Sequence, residues 1–241
     1  METEKLNELQ RLIDESDHIV FFGGAGVSTE SGIPDFRSQD GLYNQKYDYP
    51  PEVILSHTFF VNNPVEFFRF YRDKMLYLDA EPNAAHIALA KLEKRKKLKA
   101  VITQNIDGLH QKAGSNVVLE LHGSVHRNYC TKCGKSYGVD AILNSEGVPR
   151  CECGGIIKPD VVLYEEPLDE YIMSMAAAYA QSADVFIVGG TSLSVYPAAG
   201  FVYRYMGDKL ILINKSKTNI DKDARLVFND SIGEVFSRLK I

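Results

Sequence analysis

Short apolar segments recur along the chain and alternate with longer segments of helical periodicity. The apolar segments have hydrophobic residues on both faces, as buried strands of a parallel sheet do, and they lie at residues 18–22, 100–103, 117–121, 184–189 and 209–213. The helical patterns lie at residues 4–15, 64–78, 83–97, 169–182 and 231–239. Strands and helices in alternation predict an α/β fold with a doubly wound, parallel, Rossmann-like sheet.

Two stretches interrupt this alternation. Residues 33–80 are rich in aromatic side chains, and residues 124–160 contain every cysteine of the chain. We interpret both as insertions that form a smaller domain. Residues 33–80 are predicted to form a cofactor-binding loop and a helical insertion, and residues 124–160 a zinc-binding module. The Rossmann-like domain would then comprise residues 1–32, 81–123 and 161–241.

The overall charge argues against some classes of partner. The chain has 27 Lys and Arg residues against 32 Asp and Glu residues, a net charge of −5, whereas nucleic acid binding by general charge requires a basic surface. No apolar run approaches the roughly 18 residues of a membrane span, and the charged, amphipathic first segment is unlike a secretory signal. We therefore expect a cytoplasmic monomer without a direct nucleic-acid partner or a membrane partner.

The four cysteines form two close pairs. Cys130 and Cys133 are followed, after 17 intervening residues, by Cys151 and Cys153, a spacing typical of a zinc ribbon with four thiolate ligands. The predicted reducing compartment disfavours disulfides. Because four thiolates leave no open position for water, the predicted zinc is structural and stabilises a module too small for a core of its own.

A glycine-rich turn follows the first apolar segment. Between a strand and a helix, such a turn lets main-chain amides approach a pyrophosphate. Gly24, Ala25 and Gly26 alone leave open a tight turn without a ligand, because this pattern is common. Ser28 and Thr29 also stand where a dinucleotide fingerprint has its third glycine.

An acid, an aromatic ring and a guanidinium come next, as Asp35, Phe36 and Arg37. Phe36 could cover a planar ring, Arg37 could bind phosphate, and Asp35 could orient either. The alternative is a surface pair of Asp35 and Arg37 with Phe36 in the core.

Polar or small residues also follow the other apolar segments. They are Gln104, Asn105, Ile106 and Asp107 after the second segment, His122 after the third, Gly190, Thr191 and Ser192 after the fourth, and Asn214 after the fifth. Because the carboxyl ends of parallel strands meet at one edge, these residues predict a nucleotide lying across the top of the sheet. A histidine there could act as a general base. Helix capping by Asn105 or Asp107 remains an alternative.

The chain resembles the sirtuins, the NAD-dependent protein deacylases, and most of all their bacterial or archaeal single-domain members. The resemblance rests on segments that occur in this order: GAGVSTESGIPDFR, TQNIDGLH, LHG, the paired cysteines and GTSLSVYP. The resemblance implies that the acyl oxygen of a modified lysine attacks C1′ of the nicotinamide ribose and that nicotinamide leaves. A ribose hydroxyl, activated by a histidine, then resolves the intermediate to deacylated lysine and O-acyl-ADP-ribose. NAD would be a co-substrate, Zn²⁺ structural, and acyl-lysine proteins the partners.

The resemblance also implies residue roles. His122 would be the base, and Asn105 and Asp107 would complete the catalytic set. Cofactor contacts would come from Ala25, Gly26, Thr29, Asp35, Phe36, Arg37, Gln104, Asn105, Ile106, Asp107, His122, Gly190, Thr191, Ser192, Asn214 and Ile232. Val162 and Tyr164 would contact the substrate, and Cys130, Cys133, Cys151 and Cys153 the metal.

Two departures from the family pattern bear on the substrate. Sirtuins usually have V-x-F-G-E where the substrate peptide adds as a strand, whereas residues 162–166 read VLYEE, with Glu165 in place of glycine. Main-chain pairing tolerates such changes, and the added carboxylate predicts a preference for lysines flanked by basic residues. Members that remove succinyl or malonyl groups carry Tyr-x-x-Arg at the positions of Phe68 and Tyr71, so neutral acyl groups are predicted here. An alignment shifted by one residue would instead place Arg69 or Arg72 there.

Two other functions are compatible with parts of the sequence. Mono-ADP-ribosyl transfer to protein needs the same cofactor site and the same loss of nicotinamide. A non-enzymatic zinc-ribbon interaction protein would need neither His122 nor the pair Asn105 and Asp107.

Overall fold

The computed structural model describes residues 2–36, 41 and 49–241. The strands in this part of the chain are β1 (Ile19–Gly23), β2 (Leu98–Thr103), β3 (Val118–Glu120), β4 (Gly123–Cys130), β5 (Ser136–Gly138), β6 (Ile157–Val161), β7 (Val185–Gly189), β8 (Leu210–Ile213) and β9 (Leu226–Phe228). The helices are α1 (Glu2–Glu15), α2 (Pro51–Ile54), α3 (His57–Asn62), α4 (Pro64–Lys74), α5 (Ala84–Lys94), α6 (Leu109–Lys112), α7 (Asp140–Leu143), α8 (Glu170–Ser182) and α9 (Ile232–Ser237). None of these helices is both long and apolar enough to cross a membrane.

A parallel sheet in the order β3-β2-β1-β7-β8-β9 organises the larger part of the fold. Strands are added outwards from β1, first on one side and then on the other, which is the doubly wound arrangement that the sequence predicts. All five apolar segments are strands of this sheet. The edge strand β9 was not predicted, because its apolar run in the sequence, Leu226–Phe228, is only three residues long and is flanked by polar residues. The order reverses between β1 and β7, and a crevice opens at the carboxyl ends of these two strands.

Helices cover both faces of the sheet. On one face, α1, α5 and α9 share an apolar core with β1, β2, β7 and β8. The α1 helix packs there because Leu9, Leu12 and Ile13 lie on one of its faces, and each is at most 3% exposed. On the other face, α8 and a 3₁₀ helix (Ala198–Arg204) cover the same strands. The central strands are therefore buried on both sides, as their uniform hydrophobicity predicts.

The two predicted insertions pack together as one unit, which we call the small lobe (residues 49–78 and 123–166). Its antiparallel sheet has the order β5-β4-β6, and it shares one apolar core with α2, α3 and α4. The helix predicted at residues 64–78 is shorter and is preceded by α2 and α3. Pro64 occupies the first turn of α4, where a missing N–H costs nothing, so the helix begins there.

Candidate active site

A cleft of about 1300 Å³ opens at the carboxyl edge of the parallel sheet. The loops after β1, β2, β3, β7 and β8 contribute to its walls, and the small lobe adds residues 161–166, which continue into residues 167 and 168. This is the crevice in which doubly wound sheets bind their ligands, beside the point where the strand order reverses.

The loop after β1 forms two short 3₁₀ turns at the floor of the cleft. The N–H of Gly26 donates to the carbonyl of Gly190, 2.8 Å away. A Cβ on Gly26 would lie 2.8 Å from the Cα of Gly190, so glycine is required for the two loops to meet. Asn83 Nδ2 donates to the carbonyl of Val27 at 2.8 Å, and the Glu30 carboxylate accepts from the main chain of α9 at 2.7 Å. Contacts from two helices therefore position this loop.

A buried hydrogen-bond network joins the loops after β1 and β2. The Ser28 hydroxyl donates to Asp107 Oδ2 at 2.6 Å and accepts from Asn105 Nδ2 at 3.0 Å. Asp107 Oδ1 accepts from the N–H of Leu109 at 2.9 Å, so Asp107 also caps the first turn of α6. Ser28 is 1% exposed and was not predicted as a site residue. Its only sequence signal is a small hydroxyl in the place of the expected third glycine.

His122 lies in the cleft just after β3. Its Nδ1 is 2.9 Å from the main-chain carbonyl of Gln104. Because a carbonyl can only accept, Nδ1 carries the proton, and Nε2 has a free lone pair. Burial lowers the pKa of His122, and the hydrogen bond to Gln104 opposes that shift. The geometry therefore presents a neutral imidazole that can accept a proton at Nε2.

Three side chains connect the loops after β2, β7 and β8. The Thr191 hydroxyl donates to Gln104 Oε1 at 3.1 Å, and the Thr191 N–H donates to Asn214 Oδ1 at 2.9 Å. These bonds leave Gln104 Nε2 and Asn214 Nδ2 buried, with no acceptor among the described residues. Two unpaired amide donors in a cleft of this size fit a ligand rich in oxygen acceptors, such as the phosphates and riboses of NAD.

Most residues predicted to contact the cofactor line this cleft: Ala25, Gly26, Asp35, Phe36, Gln104, Asn105, Ile106, Asp107, His122, Gly190, Thr191, Ser192 and Asn214. Thr29 and Ile232 are not among the lining residues. The Thr29 hydroxyl donates to the carbonyl of Gly26, and the Ile232 side chain is buried in the core under the sheet. Arg37 lies outside the described residues. The individual cofactor contacts remain predictions.

One wall of the cleft is the segment that was predicted to bind the substrate. The N–H of Val162 donates to the carbonyl of His122 at 3.0 Å, and the N–H of Tyr164 donates to the carbonyl of Leu55 at 3.0 Å. The Tyr164 side chain is 41% exposed. The segment is thus held between the carboxyl edge of the sheet and the residues that precede α3.

The two glutamates of this segment differ in their surroundings. Glu166 Oε2 accepts from the buried Lys158 Nζ at 3.0 Å, and Glu166 Oε1 is 2.9 Å from His57 Nδ1. Glu165 Oε2 instead accepts from the N–H and the hydroxyl of Thr58, at 2.9 and 2.6 Å. Glu166 therefore adds no net negative charge to the cleft, because Lys158 neutralises it, whereas the hydrogen-bond partner of Glu165 is uncharged.

The positions aligned with an acyl-carboxylate pair do not reach the cleft. Phe68 and Tyr71 are fully buried in the core of the small lobe and do not line the cleft. Arg72 donates to the carbonyl of Ile142 at 2.9 Å, and Arg69 forms an ion pair within α4. Neither arginine lines the cleft, so an alignment error of one residue would add no cation there.

The four cysteine sulfurs converge in the small lobe, all within 4.8 Å of one another. The Sγ atoms of Cys130 and Cys153 are 3.4 Å apart, and those of Cys133 and Cys151 3.6 Å. A tetrahedral zinc site with Zn–S bonds of about 2.3 Å has sulfur-sulfur distances of about 3.8 Å, so the thiolates fit zinc. The Tyr137 hydroxyl also donates to Cys151 Sγ at 3.0 Å, as an outer-shell partner of a metal ligand does.

Comparisons with known proteins agree on one family. The model of the Sir2 family matches residues 24–197. An NAD-dependent protein deacetylase of Clostridium acetobutylicum is 61% identical over 236 residues, 96% of either chain. A Sir2 structure with deacetylated p53 peptide and 3′-O-acetyl ADP-ribose has a TM-score of 0.89 and 41% identity, and it covers 97% of this chain and 96% of its own. A Sir2 structure with p53 peptide and NAD⁺ has a TM-score of 0.87, with the same identity and coverage.

Proposed function

The chain belongs to the Sir2 family, and from that premise we propose that it removes acetyl or other neutral acyl groups from protein lysines and consumes NAD. The products are deacylated lysine, nicotinamide and O-acyl-ADP-ribose. The arrangement of His122 carries this proposal. A main-chain carbonyl holds its Nδ1 and leaves Nε2 unprotonated, in a cleft whose unpaired amide donors suit a dinucleotide.

NAD, when bound, supplies an ADP-ribosyl group whose C1′ takes the acyl oxygen as nicotinamide leaves. In this assignment His122 Nε2 accepts the proton of a ribose hydroxyl, which makes that hydroxyl a nucleophile. Asn105 and Asp107 bind and orient the ribose and the nicotinamide, and Ser28 keeps them in place through its two hydrogen bonds. Phe36, on the lining of the cleft, shields the reacting centre from water.

The acyl-lysine peptide would lie along residues 162–166 and add to that segment as a strand. Val162 and Tyr164 contact it. Because Phe68 and Tyr71 are buried away from the cleft and both nearby arginines are engaged elsewhere, the acyl pocket favours uncharged groups. Faster turnover of succinyl-lysine than of acetyl-lysine would contradict this preference.

Zinc serves the structure in this proposal. Its four thiolates, Cys130, Cys133, Cys151 and Cys153, hold together the small lobe that forms the peptide wall. Reduced thiolates fit a reducing compartment, so we place the protein in the cytoplasm. We expect a monomer, which analytical ultracentrifugation at assay concentrations would test.

A panel of acyl-lysine peptides, incubated with NAD and analysed by mass spectrometry, tests the reaction. We expect deacylated peptide with nicotinamide and O-acyl-ADP-ribose in equal amounts. ADP-ribose attached to protein instead would favour the mono-ADP-ribosyltransferase alternative. Absence of both products, with zinc and fold intact, would favour a non-enzymatic interaction protein.

His122→Ala tests the catalytic assignment. Loss of a general base costs typically 100-fold to 10,000-fold in rate, so we expect at least a 100-fold loss of deacylation with unchanged zinc content and unfolding temperature. His18→Ala is the matched control, because His18 precedes β1 at the opposite edge of the sheet and contacts Ser182. Full activity of the His122 variant would show that another group is the base.

A further inference from the structure

Glu165 occupies an unusual backbone conformation at the wall of the cleft. Its φ is +75°, in the left-handed region that favours glycine. A residue with a side chain in this conformation needs compensation from its surroundings. The Glu165 carboxylate provides it by accepting both the N–H and the hydroxyl of Thr58 at the start of α3. The side chain is therefore held in one place instead of moving freely in solvent.

Among the described residues, no lysine or arginine pairs with the Glu165 carboxylate, and the nearby His57 is bonded to Glu166 instead. The hydrogen-bond partner of Glu165, Thr58, is uncharged, and the two bonds from Thr58 hold the pKa of Glu165 below its usual value. Glu165 is exposed and lines the cleft. In contrast, the next residue, Glu166, is paired with Lys158 and contributes no net charge.

Among the described residues, four cations line the cleft: Lys74, Arg204, Lys215 and Lys217. Arg204 is the last residue of the 3₁₀ helix (Ala198–Arg204) on the sheet, outside the wall formed by residues 162–166. Lys215 and Lys217 follow Asn214 in the loop after β8, at the end of the cleft where the unpaired amide of Asn214 lies. Lys74 forms an ion pair with the adjacent Asp73 at 3.2 Å. The wall formed by residues 162–166 is thus negative, while the loop after β8 is positive.

We propose that Glu165 determines the charge of the preferred substrate and selects acyl-lysines that are flanked by Lys or Arg. This inference rests on the proposed function, because it requires that an acyl-lysine peptide lies along residues 162–166. A basic side chain of that peptide would meet an ionised carboxylate that Thr58 already holds in position. Because Glu165 is already held in position, it loses less side-chain entropy on forming an ion pair than a mobile surface glutamate would. More of the electrostatic attraction therefore contributes to binding.

Acetyl-lysine peptides with one variable position test the proposal. Arg, Gln or Glu is placed in turn at each of the two positions on either side of the acetyl-lysine. For at least one position we expect kcat/KM to be about three- to five-fold higher with Arg than with Gln, and lower again with Glu, as for a single exposed ion pair. The ratio should fall towards one as salt is raised to 0.5 M, since exposed charges are screened.

Two variants and one control separate charge from structure. Glu165→Gln keeps an oxygen acceptor for Thr58 but removes the charge, and Glu165→Gly restores an unstrained backbone; both should lose the preference for Arg. Glu52→Gln is the control. Glu52 and Glu165 both border a smaller hollow of about 290 Å³, but Glu52 does not line the cleft, so this variant removes a negative charge near Glu165 without changing the cleft. This control should keep the preference of the parent protein.

The outcomes are distinct. Equal turnover of Arg and Glu peptides by the parent protein, or an undiminished preference in Glu165→Gln, overturns the proposal. Affinities of the same peptides, labelled and measured by fluorescence anisotropy, give a second readout that needs no turnover. If no peptide is deacylated but Arg peptides still bind more tightly through Glu165, the proposed function fails and the charge selection stands.

Discussion

The two sides of the cleft are stabilised by different forces. The sheet side rests on two apolar cores around strands that are buried on both faces. The small lobe has one core, and two of the predicted zinc ligands, Cys130 and Cys151, are part of it. Polar contacts join its segments: Arg72 donates to one main-chain carbonyl within α7 and one after it, and Lys158 pairs with Glu166.

This difference separates two tasks. Burial of apolar strands gives the sheet side a rigid edge, which carries the proposed catalytic residues Asn105, Asp107 and His122. In the proposed function the small lobe shapes a wall for a variable peptide, and it would do so with the predicted zinc site and a few polar contacts. We therefore expect single changes in chelation or charge to alter the small lobe far more than the sheet.

Removal of zinc should have the largest effect. Structural zinc contributes on the order of 10 kcal/mol to the folding of small modules, so Cys151→Ser or chelation should unfold the small lobe and abolish peptide turnover. Hydrogen exchange is the measurement. Amides of β4 and β6 should lose protection, while those of β1 and β7 keep theirs.

Thr131→Ser is the matched control for the zinc experiment, because Thr131 lies between two ligands without being one. It should keep the metal and the protection of β4. If chelation also exposes β1 and β7, the two sides are one cooperative unit, and the contrast between them does not hold.

Ser28→Ala should have the next largest effect, and on the sheet side. It removes a hydroxyl that satisfies both Asn105 and Asp107 in a buried site, where unpaired polar groups are costly. We expect roughly a 100-fold loss of kcat/KM for NAD, about 2.7 kcal/mol, together with a loss of about 1–3 kcal/mol of unfolding free energy, because Asn105 and Asp107 lose their shared partner. Thr29→Ala, one residue further along, should lose less than about five-fold, since within the described part of the chain its hydroxyl bonds the carbonyl of Gly26 alone. Equal losses in the two variants would contradict a positioning role for Ser28.

Much of the sheet side could be predicted from the sequence. The apolar segments are long enough to identify β1, β2, β3, β7 and β8, and the doubly wound topology then brings the residues that follow them to one edge. This is why Gln104, His122 and Asn214 were expected together although 110 residues separate the first from the last. The spacing of the four cysteines also predicted the thiolate cluster, because two close pairs of cysteines are by themselves typical of a zinc site.

The remaining features depend on contacts that leave no periodic signal. Ser28 bonds residues 77 and 79 positions away, and nothing in its local sequence marks the partner. The shared core of the two insertions and the pairing of Glu166 with Lys158 are tertiary as well. Charges near a cleft could be counted from the sequence, but only the structure separates a neutralised glutamate from one that keeps its charge.

A weakness on the sheet side should appear at acidic pH. His86 and His110 are buried with ring centroids 4.7 Å apart. Burial lowers the pKa of His86 to about 4, opposed by the carboxylates of Asp107 and Glu30, and burial lowers the pKa of His110 to about 3. The unfolded chain takes up these protons near pH 6.5, so the stability is present above that pH and is lost as pH falls towards 4.

Between pH 7 and pH 5.5 this pair should cost about 2 kcal/mol of unfolding free energy, measured by urea denaturation. His110→Phe has no titratable group and suits a site beside the ring of Phe21, so it should remove about half of that loss. If the variant is as acid-sensitive as the parent, the histidine pair is not the cause. The stability of the sheet side between pH 7 and pH 5.5 would then not depend on these two histidines.

The smallest effect is expected from relieving left-handed backbone conformations at two residues, one on the sheet side and one in the small lobe. Lys96 has φ of +63° and follows α5, where glycine is the preferred residue, so Lys96→Gly should stabilise the protein by up to about 1 kcal/mol. Glu165→Gly relieves the same strain but gives up both hydrogen bonds to Thr58, so its unfolding free energy should change by less than about 0.5 kcal/mol. Thermal unfolding of the two variants side by side measures the difference. An equal gain in both would mean that the contact with Thr58 contributes nothing to stability, and the polar support of the small lobe would then come from Arg72 and from the pair of Lys158 with Glu166.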